Sequence, residues 1–379
     1  MFIKGVGMTR FDIVEQNSYE MAYEATLDAL DDAGISMNDI DAIVVSNTDI
    51  ISNGERQRHS ASLMSSLFQK KLPILTVPSG CSGGGTALWT AIRFLQSDIA
   101  RYRNILVLGF DRVVANTSKR VTDEILMGGQ RIYEQPEGLN FPAQNALVAQ
   151  QYMLGCGATS DDFALVAFKN HQNAFLNPKA RFYGKRISLD DIRNSPIVAT
   201  PLRLYDCSIS CNGAASLILT RDKTDIEIAG SAEETDCLSP FERDEMTRFE
   251  AAGKSAKEAF TSAGVSPDDI DIAEVHDAFT PLELISYEDL GFCKRGEGSK
   301  LIREKVTSLN GKLPVNTSGG LKAKGHPISA TGISQIYELV KQMRNEAEQR
   351  QVEKLKYGLA HNIGGVGSTA TVHILKNLN

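Results

Sequence analysis

Several features that would assign a protein quickly to a class are missing from this 379-residue sequence. No apolar run approaches the roughly 18 residues that a membrane-spanning helix needs, and no charged and apolar leader precedes the first strand-like segment. No basic stripe stands out, and the net charge of −7 argues against general nucleic-acid binding. These absences predict a soluble, cytoplasmic, globular protein that binds neither membranes nor nucleic acid.

Paired cysteine motifs are also missing. The sequence contains six cysteines but no repeated CxxC pair, which predicts reduced thiols without a metal site or a disulfide framework. Cys207 and Cys211 lie in a turn before a strand-like segment, and we interpret this pair as structural. With 42% hydrophobic and 23% charged residues, the chain is long enough for a large core and for two domains of ordinary size.

What the sequence does contain is a glycine-rich turn around Cys81, from Pro78 to Gly85. Residues 72–77 predict a buried strand before this turn, and residues 86–95 have the apolar spacing of a helix after it. The N–H groups and the positive dipole end at a helix N-terminus favour a thiolate, and glycines let an acyl substrate approach the backbone. We therefore expect Cys81 to be a nucleophile, although a lone cysteine in such a turn is more often structural.

A helix, a glycine, a polar turn and a strand occur twice in the sequence. The first copy contains Gly34 and Ile40, and the second contains Gly264 and Ile270, so that both pairs are spaced 230 residues apart. This repeat predicts a duplicated α/β unit with an inserted segment in its first half. The predicted boundaries are residues 1–115 and 196–225 for the N-terminal half, 116–195 for the loop domain and 226–379 for the C-terminal half.

Three of the six histidines stand at predicted strand ends beside glycine or proline turns. They are His276, His326 and His361, all in the C-terminal half. Taken singly, each is more often a hydrogen-bonded structural residue, but ligands and catalytic groups in α/β sheets collect at such strand ends. Together with Cys81 from the other half, the three histidines predict one shared pocket.

Four motifs around these residues resemble the thiolase superfamily, in particular its sterol-carrier-protein-type and archaeal acetyl-CoA acetyltransferase branch. In chain order they are Ser79-Gly-Cys81-Ser82-Gly, His276-Asp-Ala278-Phe279, Gly325-His326-Pro327 and His361-Asn-Ile-Gly364-Gly365. The resemblance covers essentially the whole chain. It implies a five-layered α/β/α/β/α thiolase fold, made of two duplicated halves with an inserted loop domain, and acyl transfer through a thioester on Cys81.

The resemblance also implies a role for each catalytic group. His326, neutral near pH 7, would accept the thiol proton of Cys81, and His276 together with His326 would form one oxyanion hole. A second oxyanion hole would use backbone N–H groups of Cys81, Ile363 and Gly364. Two such holes suit a two-step acyl transfer.

Other residues of the second half are implied to support or bind the substrate. Asn316 is expected behind the catalytic groups, and Ser318 and Gly320 are expected at the substrate. That substrate would be a coenzyme A thioester, with no permanently bound cofactor and no metal. Cations that could meet the coenzyme A phosphates, unless they are ordinary surface charges, are Lys179, Arg181 and Lys322.

One position departs from the family pattern. The branch usually carries a cysteine as the third residue of a His-Asp-Cys-Phe motif, where it moves the α-proton of the acetyl nucleophile, and here that residue is Ala278. His361 is the first candidate to replace the thiol, and Cys293 is a weaker one. If neither does so, the remaining residues Cys81, His276 and His326 resemble the catalytic set of a decarboxylating ketoacyl synthase, which needs no α-proton base.

Three functions therefore stay open: an acetyl-CoA C-acetyltransferase (acetoacetyl-CoA thiolase), a decarboxylating ketoacyl synthase, and a catalytically weak homologue that acts as a scaffold. Archaeal family members resemble components of an assembly with 3-hydroxy-3-methylglutaryl-CoA synthase and a small zinc-bearing OB-fold protein. The resemblance further implies a homodimer or tetramer, with the two Cys81 turns near the dimer interface.

Overall fold

The computed structural model describes residues 1–48, 57, 59–97, 102–114 and 126–379. The first elements are β1 (Phe2–Met8), α1 (Ser18–Ala33), β2 (Ala42–Ser46), α2 (Ser60–Leu67), β3 (Ile74–Thr76), α3 (Gly83–Gln96) and β4 (Asn104–Arg112). The middle of the chain forms α4 (Phe141–Cys156), α5 (Ser160–Phe175), α6 (Leu189–Arg193), β5 (Ile197–Ala199), β6 (Leu202–Arg203) and β7 (Asn212–Thr220). The remaining elements are β8 (Ile226–Thr235), α7 (Glu250–Ala263), β9 (Ile272–Glu274), α8 (Thr280–Asp289), α9 (Gly298–Arg303), α10 (Thr331–Met343), β10 (Tyr357–Gly364) and β11 (Thr369–Asn377).

Nine of the described strands form one hydrogen-bonded sheet in the order β3-β2-β4-β7-β1-β8-β11-β10-β9, and β5 and β6 form a separate pair. Strand β2 runs parallel to β3 and β4, β9 runs parallel to β10, and the other pairs are antiparallel. The two halves meet where β1 pairs with β8, over only two residue pairs. Five strands therefore belong to the first half of the chain and four to the second.

The helices lie in three layers around these two half-sheets. Helices α3 and α10 contact each other and strands of both halves, so they form the central layer. Helix α1 packs on β1, β7 and β4 on the outer side of the first half, and α7 packs on β8 and β11 of the second. This order confirms the predicted five-layered α/β fold. No helix within the described ranges is long and apolar enough to cross a bilayer.

The duplication recurs as matched contacts, not only as matched elements. Gly34 and Gly264 both end a helix in the left-handed conformation, with φ of +62° and +67°, where glycine has no Cβ penalty. Asp41 accepts two backbone N–H bonds at the start of β4, at 2.7 and 3.0 Å. Asp271, 230 residues later, accepts two at the start of β10, at 2.7 and 2.8 Å. The spacing found in the sequence therefore relates equivalent positions in space.

The segment between β4 and β7 packs mainly against the second half. Tyr152 of α4 and Phe163 of α5 share one apolar core with Phe249 and Tyr287 of the C-terminal half. The small antiparallel pair β5 and β6 follows these helices. The predicted boundary between residues 115 and 116 lies outside the described residues, and the division into three domains stays a prediction.

The strand expected before the Cys81 turn is shorter and more exposed than the sequence suggested. It spans Ile74–Thr76, pairs only with β2 at the end of the sheet, and leaves Leu75 40% exposed. The prediction of a buried strand over residues 72–77 was wrong in this respect. An apolar run cannot by itself distinguish a central strand from an edge strand.

In each half the outer helix lies directly against a glycine of the sheet. A Cβ on Gly5 would lie 2.4 Å from the carbonyl oxygen of Ala29, and a Cβ on Gly230 would lie 2.2 Å from that of Ala259. Ala29 and Ala259 are themselves 230 residues apart. Real Cβ atoms do not approach backbone oxygens this closely, so the helix must move if either glycine gains a side chain.

Replacing Gly230 by alanine should therefore destabilise the protein by about 1–3 kcal/mol, since it overpacks the contact between α7 and β8. Gly155→Ala is the matched control, because its Cβ would meet no atom within 4 Å and alanine favours a helix by about 0.5–1 kcal/mol. The urea midpoint should fall for the first variant and not for the second. Equal midpoints would contradict the packing described here.

Candidate active site

Residues from both halves line one cavity of about 540 Å³. Its wall includes Cys81, His276 and His326, which the sequence placed in one pocket. Ala278, the position that departs from the family pattern, lies in the same wall, and so does Gly364. The structure thus brings the thiol of Cys81 together with two imidazoles, each of which is 195 or more residues away from it in the chain.

Cys81 lies in a single 3-10 turn, Gly80–Ser82, that leads directly into α3. Gly80 has a φ of +52°, a conformation that glycine adopts without strain and that turns the chain sharply before the helix. Cys81 is partly exposed to the cavity. Its place beside a helix N-terminus gives the sulfur an environment that favours negative charge.

The glycines after Cys81 serve helix packing. A Cβ on Gly84 would lie 2.7 Å from the carbonyl oxygen of Ser329, and a Cβ on Gly332 would lie 2.3 Å from the amide nitrogen of Gly85. The N-terminal ends of α3 and α10 therefore touch through their backbones. The sequence analysis expected these glycines to let a substrate approach, whereas they let the helix that follows His326 approach.

His326 lies just before α10, after a five-residue π-helical turn at Gly320–Lys324 and a Gly325 with φ of +121°. Its Nδ1 lies 2.6 Å from Oγ1 of Thr331. Burial, and secondarily the nearby Lys324 ammonium, lower the pKa of His326 from 6.5 to about 4. The ring is therefore neutral at pH 7 and can accept a proton.

His276 follows β9 and is almost fully buried. Its ring centroid lies 5.3 Å from that of His326, and the two rings are nearly perpendicular at 89°. Burial, followed by the neighbouring His326 and His361, holds the pKa of His276 well below its usual 6.5. Two neutral imidazoles therefore face the cavity side by side.

Asn362 is the residue of this site that the sequence analysis missed. Its Nδ2 lies 3.0 Å from the carbonyl oxygen of Cys81 and 3.0 Å from Nδ1 of His276. Its Oδ1 accepts the N–H of Gly85 at 3.2 Å. One buried amide thus joins the cysteine turn, α3 and His276. The only signal in the sequence was its position in the last motif, directly after His361, which was the predicted catalytic residue of that motif.

His361 does not lie where the sequence placed it. Neighbouring side chains of β10 alternate, and those of Leu359 and Ile363 belong to the core of the second half, whereas Asn362 reaches the Cys81 turn. His361 is fully buried, does not line the cavity, and finds no hydrogen-bond partner for either ring nitrogen within the described residues. The expectation that it shares the pocket was wrong, because a strand turns successive side chains to opposite faces.

A second thiol, from Cys207, does line the cavity. The Ser208 amide donates to the carbonyl oxygen of Ala278 at 2.7 Å, and Cys207 forms a β-bridge with Phe279. Burial raises the pKa of the Cys207 thiol to about 11, although the nearby Lys322 lowers it in part. The purely structural interpretation of the Cys207 and Cys211 pair therefore holds better for Cys211, which is fully buried.

Cys293, the weaker candidate for the missing thiol, is absent from the cavity wall. Burial raises its pKa to about 12, and the Glu288 carboxylate adds to that effect. Like His361, it is separated from Cys81, so neither candidate named from the sequence is placed to move a proton in this cavity. Within the described residues, no group of three or more His, Cys, Asp or Glu side chains is placed to hold a metal ion.

The predicted supporting residue Asn316 lies directly behind β9. Its Oδ1 accepts the amide of Val275 at 2.8 Å, next to His276. Ser318 donates to Glu274 at 2.5 Å, and Gly320 donates to Ser318 at 3.2 Å. Ser318 is fully buried, and neither it nor Gly320 lines the cavity. The prediction that these two bind the substrate was wrong, because their turn faces the protein interior.

The three predicted oxyanion donors are backbone N–H groups, and their role stays a prediction. Cys81 and Gly364 line the cavity, whereas Ile363 does not, and its side chain lies in the core of the second half. A Cβ on Gly364 would lie 2.9 Å from Oγ of Ser82 and 3.3 Å from the carbonyl oxygen of Ser79. Strand β10 therefore lies close against the cysteine turn, and a side chain at position 364 would displace the Ser82 hydroxyl.

The three cations proposed for the coenzyme A phosphates all have hydrogen-bond or ion-pair partners within the protein. Lys179 donates to the carbonyl oxygen of Met8 at 2.5 Å, and Arg181 pairs with Asp12. Lys322 is fully buried and donates to the carbonyl oxygen of Cys207 at 2.6 Å. A phosphate role for any of them is therefore not supported.

Comparison with known proteins agrees with this arrangement. Family models described as "Thiolase, N-terminal domain" and "Thiolase C-terminal domain-like" match residues 5–221 and 232–377. The acetyl-CoA acetyltransferase of Methanothermobacter thermautotrophicus is 38% identical over 98% of this chain and 97% of its own length. Sterol carrier protein 2 of Bos taurus is 32% identical over 99% of this chain and 72% of its own length.

A solved structure shares the fold over nearly the whole chain. The Ltp2-ChsH2(DUF35) aldolase has 28% sequence identity and a TM-score of 0.82, and the match covers 99% of this chain and 97% of that one. Motif order, fold, cavity and relatives therefore converge on one conclusion. The chain belongs to the thiolase family and, like the acetyl-CoA acetyltransferases among its relatives, is an acyltransferase that acts on coenzyme A thioesters.

Proposed function

We propose that this protein is an acetyl-CoA C-acetyltransferase, which forms or cleaves acetoacetyl-CoA through a thioester on Cys81. The observation that carries the proposal is the shared cavity, whose wall contains Cys81 at a helix N-terminus and two neutral imidazoles. The 38% identity to an acetyl-CoA acetyltransferase supports this choice of substrate. A scaffold alone would not need a thiol and a base in one cavity.

The first half-reaction loads the acyl group. His326 takes the thiol proton of Cys81, and the sulfur attacks the carbonyl carbon of the incoming thioester. Negative charge on the carbonyl oxygen is stabilised by N–H donors from His276 or from the backbone at Cys81 and Gly364. When the intermediate collapses, the leaving group departs with its electron pair and takes the proton back from His326.

For the second half-reaction we propose that Cys207 carries the proton that Ala278 cannot. In the cleavage direction, the bond between C2 and C3 of acetoacetyl-CoA breaks and leaves the electron pair on C2. The Cys207 thiol protonates C2, and its thiolate then accepts the proton of the coenzyme A thiol that attacks acyl-Cys81. With a pKa of about 11, Cys207 rests as a thiol at pH 7, which favours starting in the cleavage direction.

A decarboxylating ketoacyl synthase remains the second candidate. Alanine at position 278 is the observation that favours it, because loss of carbon dioxide produces the carbanion without an α-proton base. Such an enzyme would use the same acyl-Cys81 and the same oxyanion donors. It differs only in its need for a malonyl thioester and in its indifference to Cys207.

We further propose that the protein works as an assembly. Its homodimer or tetramer would bury the exposed side of edge strand β3. A small zinc-bearing OB-fold protein is the partner we favour, since a structural relative is a complex with a DUF35 component. An association with 3-hydroxy-3-methylglutaryl-CoA synthase stays a proposal based on family resemblance.

Acetyl-CoA should acetylate Cys81, as measured by intact mass and peptide mass spectrometry. Cys81→Ala should abolish both this acetylation and the thiolysis of acetoacetyl-CoA, because no other described thiol combines the cavity with a helix N-terminus. Cys237→Ala, which changes an exposed cysteine, is the control and should keep both. A Cys81→Ala protein with full thiolysis activity would rule out the proposal.

Cys207→Ala should leave acetylation of Cys81 nearly unchanged but slow acetoacetyl-CoA thiolysis by about 10²-fold or more, the usual effect of losing a general acid. The double variant Cys207→Ala with Ala278→Cys should recover part of that rate, since it restores a thiol to the same wall. Cys293→Ala should behave like the wild type.

The synthase alternative predicts a different pattern for the same proteins. Carbon dioxide would be released from malonyl-CoA at equal rates with and without Cys207, and acetoacetyl-CoA would not be cleaved by either protein. Deuterium exchange at the methyl group of acetyl-CoA distinguishes the thiolase directly from the decarboxylating synthase. Wild-type exchange that disappears in Cys207→Ala supports the thiolase.

His361→Phe should flatten the dependence of stability on pH. Burial lowers the pKa of His361 from 6.5 to about 3, so below pH 6.5 the unfolded chain binds a proton that the folded chain refuses. The stability that this residue supplies above pH 6.5 is then lost as the pH falls, at about 1.4 kcal/mol per pH unit. Urea unfolding at pH 7.5 and 5 measures the difference between variant and wild type.

The same substitution at His59, an exposed histidine, is the matched control, and the slope should change more in His361→Phe than in His59→Phe. His361→Phe should also retain acetylation of Cys81, because His361 lies outside the cavity. Loss of acetylation in a folded His361→Phe protein would restore His361 to the list of catalytic candidates.

A further inference from the structure

The orientation of the Asn362 amide is fixed by two partners that have no choice of role. The Gly85 N–H can only donate, and it meets Oδ1 at 3.2 Å. The Cys81 carbonyl can only accept, and it meets Nδ2 at 3.0 Å. A flipped amide would place two acceptors together at one end and two donors at the other. The amide nitrogen therefore faces Nδ1 of His276.

This orientation determines which nitrogen of His276 carries the proton. Its Nδ1 lies 3.0 Å from the Asn362 nitrogen, which is a donor only, so Nδ1 must offer its lone pair. A neutral imidazole has a single N–H, and in His276 that proton must be on Nε2. His276 therefore presents a hydrogen-bond donor at Nε2.

Thr331 imposes the opposite arrangement on His326. Its hydroxyl donates to the carbonyl oxygen of Pro327 at 3.0 Å, and its single proton is then used. Oγ1 of Thr331 can accept only, so the contact of 2.6 Å with His326 is a bond from Nδ1–H. The lone pair of His326 is therefore on Nε2, where it can act as a base.

We propose that Asn362 and Thr331 are positioning residues that divide two neutral histidines into a donor, His276, and a base, His326. Neither residue needs to touch the substrate; each acts through the far nitrogen of its imidazole. The tautomers themselves follow from the contacts alone. The tasks assigned to them, oxyanion donor and thiol base, rest on the proposed acyl transfer.

The division matters because the two rings are otherwise interchangeable. They lie 5.3 Å apart in the same cavity, and both are neutral at neutral pH. A donor at His326 could not take the thiol proton, and a lone pair at His276 would repel the developing oxyanion. Loss of one oxyanion donor typically slows an acyl-transfer enzyme by about 10²–10³-fold. The wrong tautomer at His276 would therefore lower the rate of acyl transfer by a factor of this order.

Nitrogen NMR of protein labelled with ¹⁵N-histidine reads the tautomers directly, with resonances assigned through His276→Gln and His326→Gln. In the resting wild type we expect protonated Nε2 and unprotonated Nδ1 for His276, and the reverse for His326. At pH 8, Asn362→Asp should move the proton of His276 from Nε2 to Nδ1, because a carboxylate accepts from Nδ1, and the ring should become an imidazolium as the pH falls. A wild-type His276 protonated on Nδ1 would overturn the proposal.

Kinetics give a second, independent reading. Asn362→Asp should slow acetylation of Cys81 by about 10²-fold at pH 8 and recover as the pH falls, since protonation of His276 beside the new carboxylate restores Nε2–H. The wild type should show no such recovery. Asn104→Asp, which buries the same carboxylate at the start of β4 outside the cavity, should lose stability without changing either histidine spectrum.

Thr331 is tested by the presence or absence of its hydroxyl. Thr331→Val should slow acetylation, whereas Thr331→Ser should retain most of the rate and the wild-type His326 spectrum. Equal rates in both variants would overturn this half of the proposal. If Asn362→Asp does not fold, the wild-type spectrum and Asn362→Ser still decide the assignment of His276. If the tautomers are as expected but wild-type Cys81 is never acetylated, the proposed function fails and the positioning stands.

Discussion

The site depends on the backbone contact between two helix ends in the central layer. Helices α3 and α10 lie between the half-sheets, and Gly84 and Gly332 let their first turns touch. One helix begins at Cys81 and the other begins just after His326. A Cβ at either glycine would collide with the backbone of the other helix, so the helix ends that carry Cys81 and His326 would have to move apart. The chemistry therefore rests on an approach that only glycine allows.

Side chains of the second half hold the first turn of α3 in this position. The Gly85 N–H donates to Asn362, and the Gly85 carbonyl oxygen lies 3.1 Å from Nε2 of His373 on β11. Ring Nδ1 of His373 meets Ser231 of β8 at 3.0 Å. The bond to Asn362 satisfies a backbone N–H at a buried helix N-terminus that would otherwise lack a partner. Strands of one half thus hold the Cys81 turn that belongs to the other.

Behind the two catalytic histidines lies a buried polar network that reaches into the inserted segment. Asp277 accepts the amide of Leu321 at 2.6 Å and the side-chain amide of Asn170, from α5, at 2.7 Å. Asn170 also donates to Glu283, which accepts from Asn316. Burial, with the nearby Glu283 carboxylate, raises the pKa of Asp277 to about 7. The residue beside His276 therefore also fixes the turn that leads to His326.

Sequence reasoning reached the fold, the duplication and the group of Cys81, His276 and His326, because periodicity, spacing and motif order each report directly on these. It misplaced His361, since the side of β10 that faces the cavity depends on register. It missed Asn362 and Thr331, whose importance comes from single hydrogen bonds across the chain. It also placed Ser318 and Gly320 at the substrate, whereas the structure buries them against Glu274 and Asp277.

The burial of the two catalytic rings has a further consequence for how the cavity handles charge. A charged imidazole would bind an oxyanion more strongly but could not accept a proton, and its charge would vary with pH. Lowering both pKa values removes that variation and leaves tautomer state as the property that distinguishes the rings. Tautomer state is set by hydrogen-bond partners and not by solution pH. A site of this kind can assign opposite tasks to two identical side chains with an amide and a hydroxyl.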